Sequence, residues 1–219
     1  MYAKGVCARQ RNSEAIVKVI DNLEKVNYDT VAELLPKLLV EGTLHLDASA
    51  YKPTDPTSRM ANGIGRYLIY DHPDKTQAFS IWAFAFASQQ ATSIHDHRFK
   101  GTVTVLEGPI SEKYYIPTED GFAKLVKRTN RYRFHTNSDS LDSMFIHQLK
   151  RRNNFGEHIS VTLHIYEMEA SLVNNEGEVV DNRNLNNVYL KDTSSGKASI
   201  PPYDDEYPDL SCESYRTVI

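Results

Sequence analysis

The sequence predicts a mainly β fold, a sandwich or small barrel that follows two N-terminal α-helices. Apolar residues spaced by three and four near the start are typical of helices. Short β-branched and aromatic runs between turn signals after Gly42 are typical of strands. The 219 residues suffice for one globular domain with a sizeable core. We therefore expect a single domain over residues 1–173 and a C-terminal tail over residues 174–219.

The two predicted helices lie before Gly42. The first follows Ser13 and has one apolar face, made of Ile16, Val19, Ile20, Leu23 and Val26. The second begins near Thr30, which has capping-box spacing to Glu33 ahead of a leucine-rich run. Pro36 is expected to kink or shorten this helix, because proline lacks the backbone N–H that a helix interior needs.

Seven segments are predicted to be strands, about the number and spacing of a sandwich or small barrel. Turn signals such as Glu107-Gly108-Pro109 separate them. In chain order the predicted strands are Tyr67–Tyr70, Phe79–Ala87, Gly101–Leu106, Ile110–Ile116, Phe122–Val126, Met144–Gln148 and Ser160–Glu167.

The composition disfavours several classes of partner and location. Lys+Arg number 25 and Asp+Glu 29, and the resulting charge of −4 offers no basic footprint for nucleic acid or an anionic membrane. No apolar stretch approaches the roughly 20 residues of a membrane span, and no signal segment opens the sequence. Cys7 and Cys212 are too few and too far apart for a disulfide framework or a cysteine metal cluster. We expect a cytoplasmic, non-exported protein, and the sequence leaves its oligomeric state open.

The tail differs from the rest of the chain in charge. Residues 174–219 carry nine acidic and four basic side chains, whereas residues 1–173 carry twenty and twenty-one. Turn-forming residues are frequent there, so we expect the tail to wrap the surface or to be partly disordered. Its four tyrosines favour docking onto the domain; they are Tyr189, Tyr203, Tyr207 and Tyr215.

Three histidines are candidate metal ligands. In an extended segment, His95 and His97 point to one side while Asp96 points to the other, so two imidazoles share one wall. His147 lies in an apolar run about fifty residues later, as a third ligand from another strand would. The alternative is that these are ordinary, hydrogen-bonded histidines. The other histidines outside the last predicted strand are expected to face solvent; they are His45, His72, His135 and His158.

A second alternating pattern lies in the last predicted strand. Thr162, His164 and Tyr166 share one face, and Leu163 and Ile165 share the other. If the polar face lines a barrel interior, its hydroxyl, imidazole and phenol can form a hydrogen-bonded chain beside a reacting centre. The alternative is an exposed strand face.

Together these motifs resemble the cysteine dioxygenase family of thiol dioxygenases, in its bacterial type, over roughly residues 66–167. The resemblance implies a cupin-type jelly-roll β-barrel and a mononuclear non-haem Fe(II) held by His95, His97 and His147. It also implies that O2 oxidises L-cysteine to cysteine sulfinate. The family's catalytic Ser-His-Tyr chain corresponds here to Thr162, His164 and Tyr166, with Thr replacing Ser.

The resemblance further implies a substrate-binding role for Arg66, which matches the arginine that pairs with the carboxylate of cysteine. A guanidinium suits this role because it is always charged and meets a carboxylate with two parallel hydrogen bonds. Relatives that act on 3-mercaptopropionate tend to have Gln there. Another small thiol remains an alternative substrate, a non-catalytic binding module remains an alternative function, and Zn, Ni or Cu remains an alternative metal.

Three departures from related patterns are visible. The cysteine that cross-links to the active-site tyrosine in animal-type members is missing, because no cysteine lies between Cys7 and Cys212. The glutamate that follows the His-x-His pair in many cupins is missing too. Gln148 and the residues after it contain no counterpart of the asparagine that often follows the last histidine.

Overall fold

The structure is a computed structural model. It describes residues 2–57, 63–97, 99–117, 122–137, 146–151, 158–175, 178–179 and 188–191. The helices are α1 (Tyr2–Asp21), α2 (Tyr28–Glu41) and the short α3 (Ala170–Val173). The strands are β1 (Gly65–Asp71), β2 (Ser80–Phe86), β3 (Ile94–His95), β4 (Gly101–Glu107), β5 (Ile110–Pro117), β6 (Phe122–Arg131), β7 (Ile146–Arg151), β8 (Ser160–Tyr166), β9 (Asn174–Asn175), β10 (Glu178–Val179) and β11 (Val188–Lys191).

Two sheets form the body of the protein. The first is antiparallel in the order β1-β2-β8-β4, and the second runs β11-β3-β7-β5-β6 and closes because β11 also pairs with β6. The turn at Gly108 leads from β4 in the first sheet to β5 in the second. The predicted fold class, mainly β with N-terminal helices, is therefore confirmed.

The two faces of the first sheet have different partners. On β8, the apolar residues Val161, Leu163 and Ile165 join the core that the sheet forms with α1 and α2. The alternate residues, among them Tyr166, face a second core that also contains Ile110 and Leu149 of the other sheet. The polar face of β8 therefore lines the interior between the sheets and is not exposed.

The helices differ from their predicted bounds. α1 begins at Tyr2, well before Ser13, whose hydroxyl donates to the carbonyl oxygen of Ile69 on β1. α2 is capped by Asn27, whose side-chain oxygen accepts from the backbone N–H of Thr30 at 2.9 Å. Pro36 lies inside α2 without shortening it, because the helix continues to Glu41.

Each predicted strand corresponds to an observed one, although Met144 and Phe145 lie outside the described residues. The sequence did not predict β3 or the tail strands β9, β10 and β11. Within the tail, β11 pairs antiparallel with β3 and parallel with β6, so at least four tail residues belong to a barrel sheet. The division of the chain at residue 173 stays a prediction.

None of the described helices combines the length and hydrophobicity that a membrane crossing requires. Three of the histidines expected to face solvent are exposed, namely His45, His135 and His158. The expectation is wrong for His72, which is half-buried. It stacks on Phe79 with ring centroids 4.7 Å apart, and its Nδ1 lies 2.9 Å from the hydroxyl of Tyr70.

Candidate metal centre

The second sheet brings three imidazoles together as the histidine cluster, His95, His97 and His147. His95 on β3 is the register partner of His147 on β7, and His97 follows β3 by two residues. The Nε2 atom of His97 lies 3.1 Å from the Nε2 atoms of both other rings. The candidate ligand atoms all lie within 4.8 Å of one another.

The spacing and orientation of these rings fit a shared metal ion. Two nitrogens that each lie about 2.1 Å from one ion, at a right angle, are separated by about 3.0 Å. The Nδ1 atom of His95 lies 2.8 Å from the carbonyl oxygen of Ser93, and that of His147 lies 3.0 Å from Glu112 Oε1. Because these acceptors take the Nδ1 protons, both Nε2 atoms keep a lone pair for a metal. The cluster could therefore hold a metal ion.

The protonation state also suits metal binding. Burial, followed by repulsion from His147, lowers the pKa of His95 to about 3. Burial and the neighbouring imidazoles lower the pKa of His97 well below its usual value. Both rings are therefore neutral near pH 7, which is the form that binds metals.

Across the interior, β8 carries the polar chain, Thr162, His164 and Tyr166. All three are buried, and the ring of His164 joins the two hydroxyls. The Thr162 hydroxyl lies 2.7 Å from Nε2, and the Tyr166 hydroxyl lies 2.8 Å from Nδ1. The hydrogen-bonded chain is present, and its catalytic role stays a prediction.

Aromatic contacts connect the polar chain to the histidine cluster. The ring centroid of Tyr166 lies 5.7 Å from that of His97, and Phe99 packs edge-on against both rings. Burial raises the pKa of Tyr166, although the charge of Arg66 acts in the opposite direction. Burial lowers the pKa of His164 to about 3, so this ring is neutral as well.

Arg66 lies at the other end of the polar chain. It is the register partner of Phe84, which in turn pairs with Thr162, so three adjacent strands place them in one row. The guanidinium carbon lies 5.7 Å from the centre of the Phe84 ring, and that ring stacks on His164. Nη1 donates to the carbonyl oxygen of Ile64 at 3.3 Å. The structure thus places Arg66 near the polar chain, and its substrate-binding role stays a prediction.

Sequence reasoning missed a buried charged network behind the histidine cluster. Glu112 on β5 is fully buried and accepts hydrogen bonds from His147 and from Arg131 Nε on β6, the latter at 2.5 Å. Burial alone would raise the pKa of Glu112, but the hydrogen bond from His147 and the charge of Arg131 hold it at about 2. The available signal was the alternation of Ile110, Glu112 and Tyr114, which places a charged residue on a core-facing side of the strand.

Comparisons with known proteins find similarity in structure alone. No family model matches the chain, and no curated protein matches its sequence. A cupin-2 domain protein from Rhodospirillum rubrum aligns with 10% identity and a TM-score of 0.38 over 64% of this chain and 74% of its own. An oxalate oxidase in complex with the substrate analogue glycolate aligns with 15% identity and a TM-score of 0.39 over 53% of this chain and 56% of its own.

A third similar structure is a sugar phosphate isomerase of the cupin superfamily from Silicibacter pomeroyi. It has 11% identity and a TM-score of 0.35 over 48% of this chain and 60% of its own. The chain therefore spans less than two thirds of the oxidase and of the isomerase. Likenesses at this level carry no information on activity or substrate.

Proposed function

We propose that this protein is a cupin-type thiol dioxygenase that oxidises L-cysteine with O2 to cysteine sulfinate at a mononuclear Fe(II) centre. The observation that carries the proposal is the histidine cluster facing the buried polar chain across the barrel interior. The order and spacing of these motifs resemble those of the cysteine dioxygenase family. This resemblance is the basis for proposing thiol oxidation and for choosing iron as the metal. Imidazole donors alone also suit Zn, Ni and Cu.

Fe(II) bound by the histidine cluster would supply the redox-active centre for a thiolate and O2. Its three ligands would be neutral, so the ion keeps its full charge, and this favours an anionic thiolate. The reaction adds both atoms of O2 to the sulfur of the substrate. Sulfur is oxidised and O2 is reduced within the same product, so the proposal needs no external reductant.

Arg66 would bind the carboxylate of the substrate. Burial lowers the pKa of Arg66, but arginine keeps its charge at neutral pH. The carbonyl oxygen of Ile64 and the ring of Phe84 hold its guanidinium in place. The side chain would therefore lose little further conformational entropy when substrate binds. A substrate without a carboxylate would lose this interaction.

The polar chain would direct the proton of Tyr166. When Thr162 donates its hydroxyl proton to Nε2 of His164, the Nδ1–H donates to the Tyr166 oxygen. The phenolic O–H is then available to bound substrate or oxygen. The raised pKa of Tyr166 keeps this proton on the hydroxyl near neutral pH.

Oxygen uptake by the protein loaded anaerobically with Fe(II) tests the proposal. L-cysteine, 3-mercaptopropionate and cysteamine are compared, with mass spectrometry of the product. We expect one O2 per thiol and a product heavier by two oxygen atoms with L-cysteine. Cysteamine, which lacks the carboxylate, should be the poorest of the three.

Other outcomes would redirect the assignment. Faster turnover of 3-mercaptopropionate than of L-cysteine would identify 3-mercaptopropionate as the preferred substrate. Iron binding together with tight thiol binding but no oxygen uptake would contradict a dioxygenase and favour a binding module. Metal analysis of protein purified without added metal would identify a different ion.

A further inference from the structure

Glu112, Arg131 and Tyr114 form a buried group that the proposed reaction does not use. They lie on the neighbouring strands β5 and β6, on the side of the sheet that faces the histidine cluster. Each of them has a relative exposure of 8% or less. A charged pair in such a place requires partners for both charges, because burial removes the water that would solvate them.

Both carboxylate oxygens of Glu112 have a described partner. Oε1 accepts from Nδ1 of His147 at 3.0 Å, and Oε2 accepts from Nε of Arg131. Arg131 also donates from Nη2 to the Tyr114 hydroxyl at 2.6 Å and from Nη1 to the carbonyl oxygen of Thr136 at 3.0 Å. The network thus runs from one imidazole of the cluster to β6 and to the segment that follows it.

The three imidazoles have different support. His147 has a carboxylate on Nδ1, and His95 has a backbone carbonyl. The Nδ1 atom of His97 is buried with no hydrogen-bond partner in the part of the chain that the structure describes. A carboxylate on Nδ1 fixes the tautomer and orientation of a ligating imidazole and increases the basicity of its other nitrogen. Of the three imidazoles, His147 is therefore the one whose Nδ1 atom is hydrogen-bonded to a charged side chain.

We propose that Glu112 is a positioning residue for metal binding, which holds His147 with Nε2 directed into the cluster, and that Arg131 holds Glu112 in place. This inference rests on the proposed metal site, but on neither the identity of the metal nor that of the substrate. The carboxylate also supplies one buried negative charge close to a bound cation, which strengthens the binding of any divalent ion.

Anaerobic titration of the metal-free protein with Co(II) tests the proposal, because the absorption bands of Co(II) report both affinity and ligand geometry. Glu112→Gln keeps the size and an oxygen acceptor but removes the charge. We expect its Co(II) dissociation constant to rise about 10- to 100-fold, and its absorption bands to shift. Glu112→Asp, which keeps a carboxylate, should recover part of the affinity.

Ser111→Ala is the matched control. Ser111 neighbours Glu112 on β5, and its hydroxyl accepts from Nε of Arg128 at 2.8 Å on the opposite side of the strand. This variant should bind Co(II) with the affinity and spectrum of the wild type. Arg131→Lys, which keeps the charge but not the forked geometry, should weaken binding less than Glu112→Gln does.

Equal Co(II) affinity and spectra in the wild type and Glu112→Gln would overturn the positioning role while leaving the metal site intact. Metal binding by the wild type without thiol oxidation would overturn the proposed function alone. Failure of the wild type to bind Co(II) or Fe(II) would overturn both. Circular dichroism and the melting temperature of each variant separate loss of affinity from loss of folding.

Discussion

At the level of single residues, His97 differs from His95 and His147 in what holds its ring in place. Its ring packs against Phe99 and Tyr166, at centroid distances of 4.8 and 5.7 Å, and its Nε2 atom is central to the cluster. No hydrogen bond holds its Nδ1 atom among the described residues. The orientation of this ring therefore depends on packing and on whatever its Nε2 atom binds.

His97→Ala should remove metal and activity together. The variant loses the nitrogen that lies between the other two, so its metal affinity should fall by more than about 100-fold, beyond the usual effect of losing a supporting residue. Metal content after gel filtration and oxygen uptake with L-cysteine measure the two effects. His135→Ala removes an exposed histidine and should change neither. Full turnover with retained iron in His97→Ala would defeat the ligand assignment.

Tyr166→Phe separates proton donation from metal binding. The substitution removes the hydroxyl that lies beside Nδ1 of His164 but keeps the ring that packs against His97. We expect kcat to fall about 100-fold or more, in the range of a lost general acid, with iron content unchanged. Oxygen uptake and metal analysis of the same preparation provide the measurement. Unchanged kcat would show that the phenol takes no part in the reaction.

At the level of elements, the predictable strands are those with a continuous apolar or alternating pattern. β2 and β8 are buried along their whole length. β2 is one residue shorter than predicted at both ends, and β8 is one residue shorter at its C-terminal end. β6 extends five residues beyond the predicted Val126, because its second half is polar and partly exposed and lacks a hydrophobic pattern. β3 has two residues, too few for any periodic signal.

The turn between β4 and β5 depends on Gly108. Its φ is +68°, and a Cβ atom there would lie 2.5 Å from Ser160 Oγ and 2.9 Å from the carbonyl oxygen of Ile159. Gly42 also has a positive φ, +71°, but the nearest atom that its Cβ would meet, His45 Cε1, is 3.9 Å away. The two glycines thus share a backbone conformation but differ in the room that is available for a Cβ atom.

Gly108→Ala should therefore destabilise the protein more than Gly42→Ala does. Positive φ alone costs an alanine about 1–2 kcal/mol, which applies to both variants. The close contacts at Gly108 add to this cost, and we expect a total loss above about 3 kcal/mol there. The free energy of unfolding in urea measures both. Equal losses would show that the contacts at Gly108 relax without cost.

At the scale of the whole molecule, the site depends on contacts between distant parts of the chain. The sequence predicted three histidines and a polar strand face, but it could not predict that Glu112 meets His147, because that contact depends on how β5 and β7 pair. Composition predicted an acidic tail that wraps the surface or is partly disordered. It gave no sign that residues 188–191 would pair with β3, the strand that carries His95.

Removal of β11 should weaken both stability and metal binding. A chain ending at Val179 loses the backbone pairing of Val188 with His95 and of Leu190 with Phe122. We expect a lower melting temperature and a weaker affinity for Fe(II). A chain ending at Lys191 keeps β11 and removes only the residues after it, so it serves as the matched control. Identical melting temperature and iron affinity in both truncated chains and the full chain would contradict a structural role of β11.

X-ray absorption spectroscopy of the protein loaded anaerobically with one equivalent of Fe(II) tests the metal centre most directly. The histidine cluster predicts one tightly bound iron per chain, with scattering from three imidazole nitrogens at about 2.1 Å. The His97→Ala variant, loaded with Fe(II) in the same way, should lack this signal. Iron that fails to bind, or iron surrounded by oxygen ligands without imidazole scattering, would contradict a centre built from His95, His97 and His147.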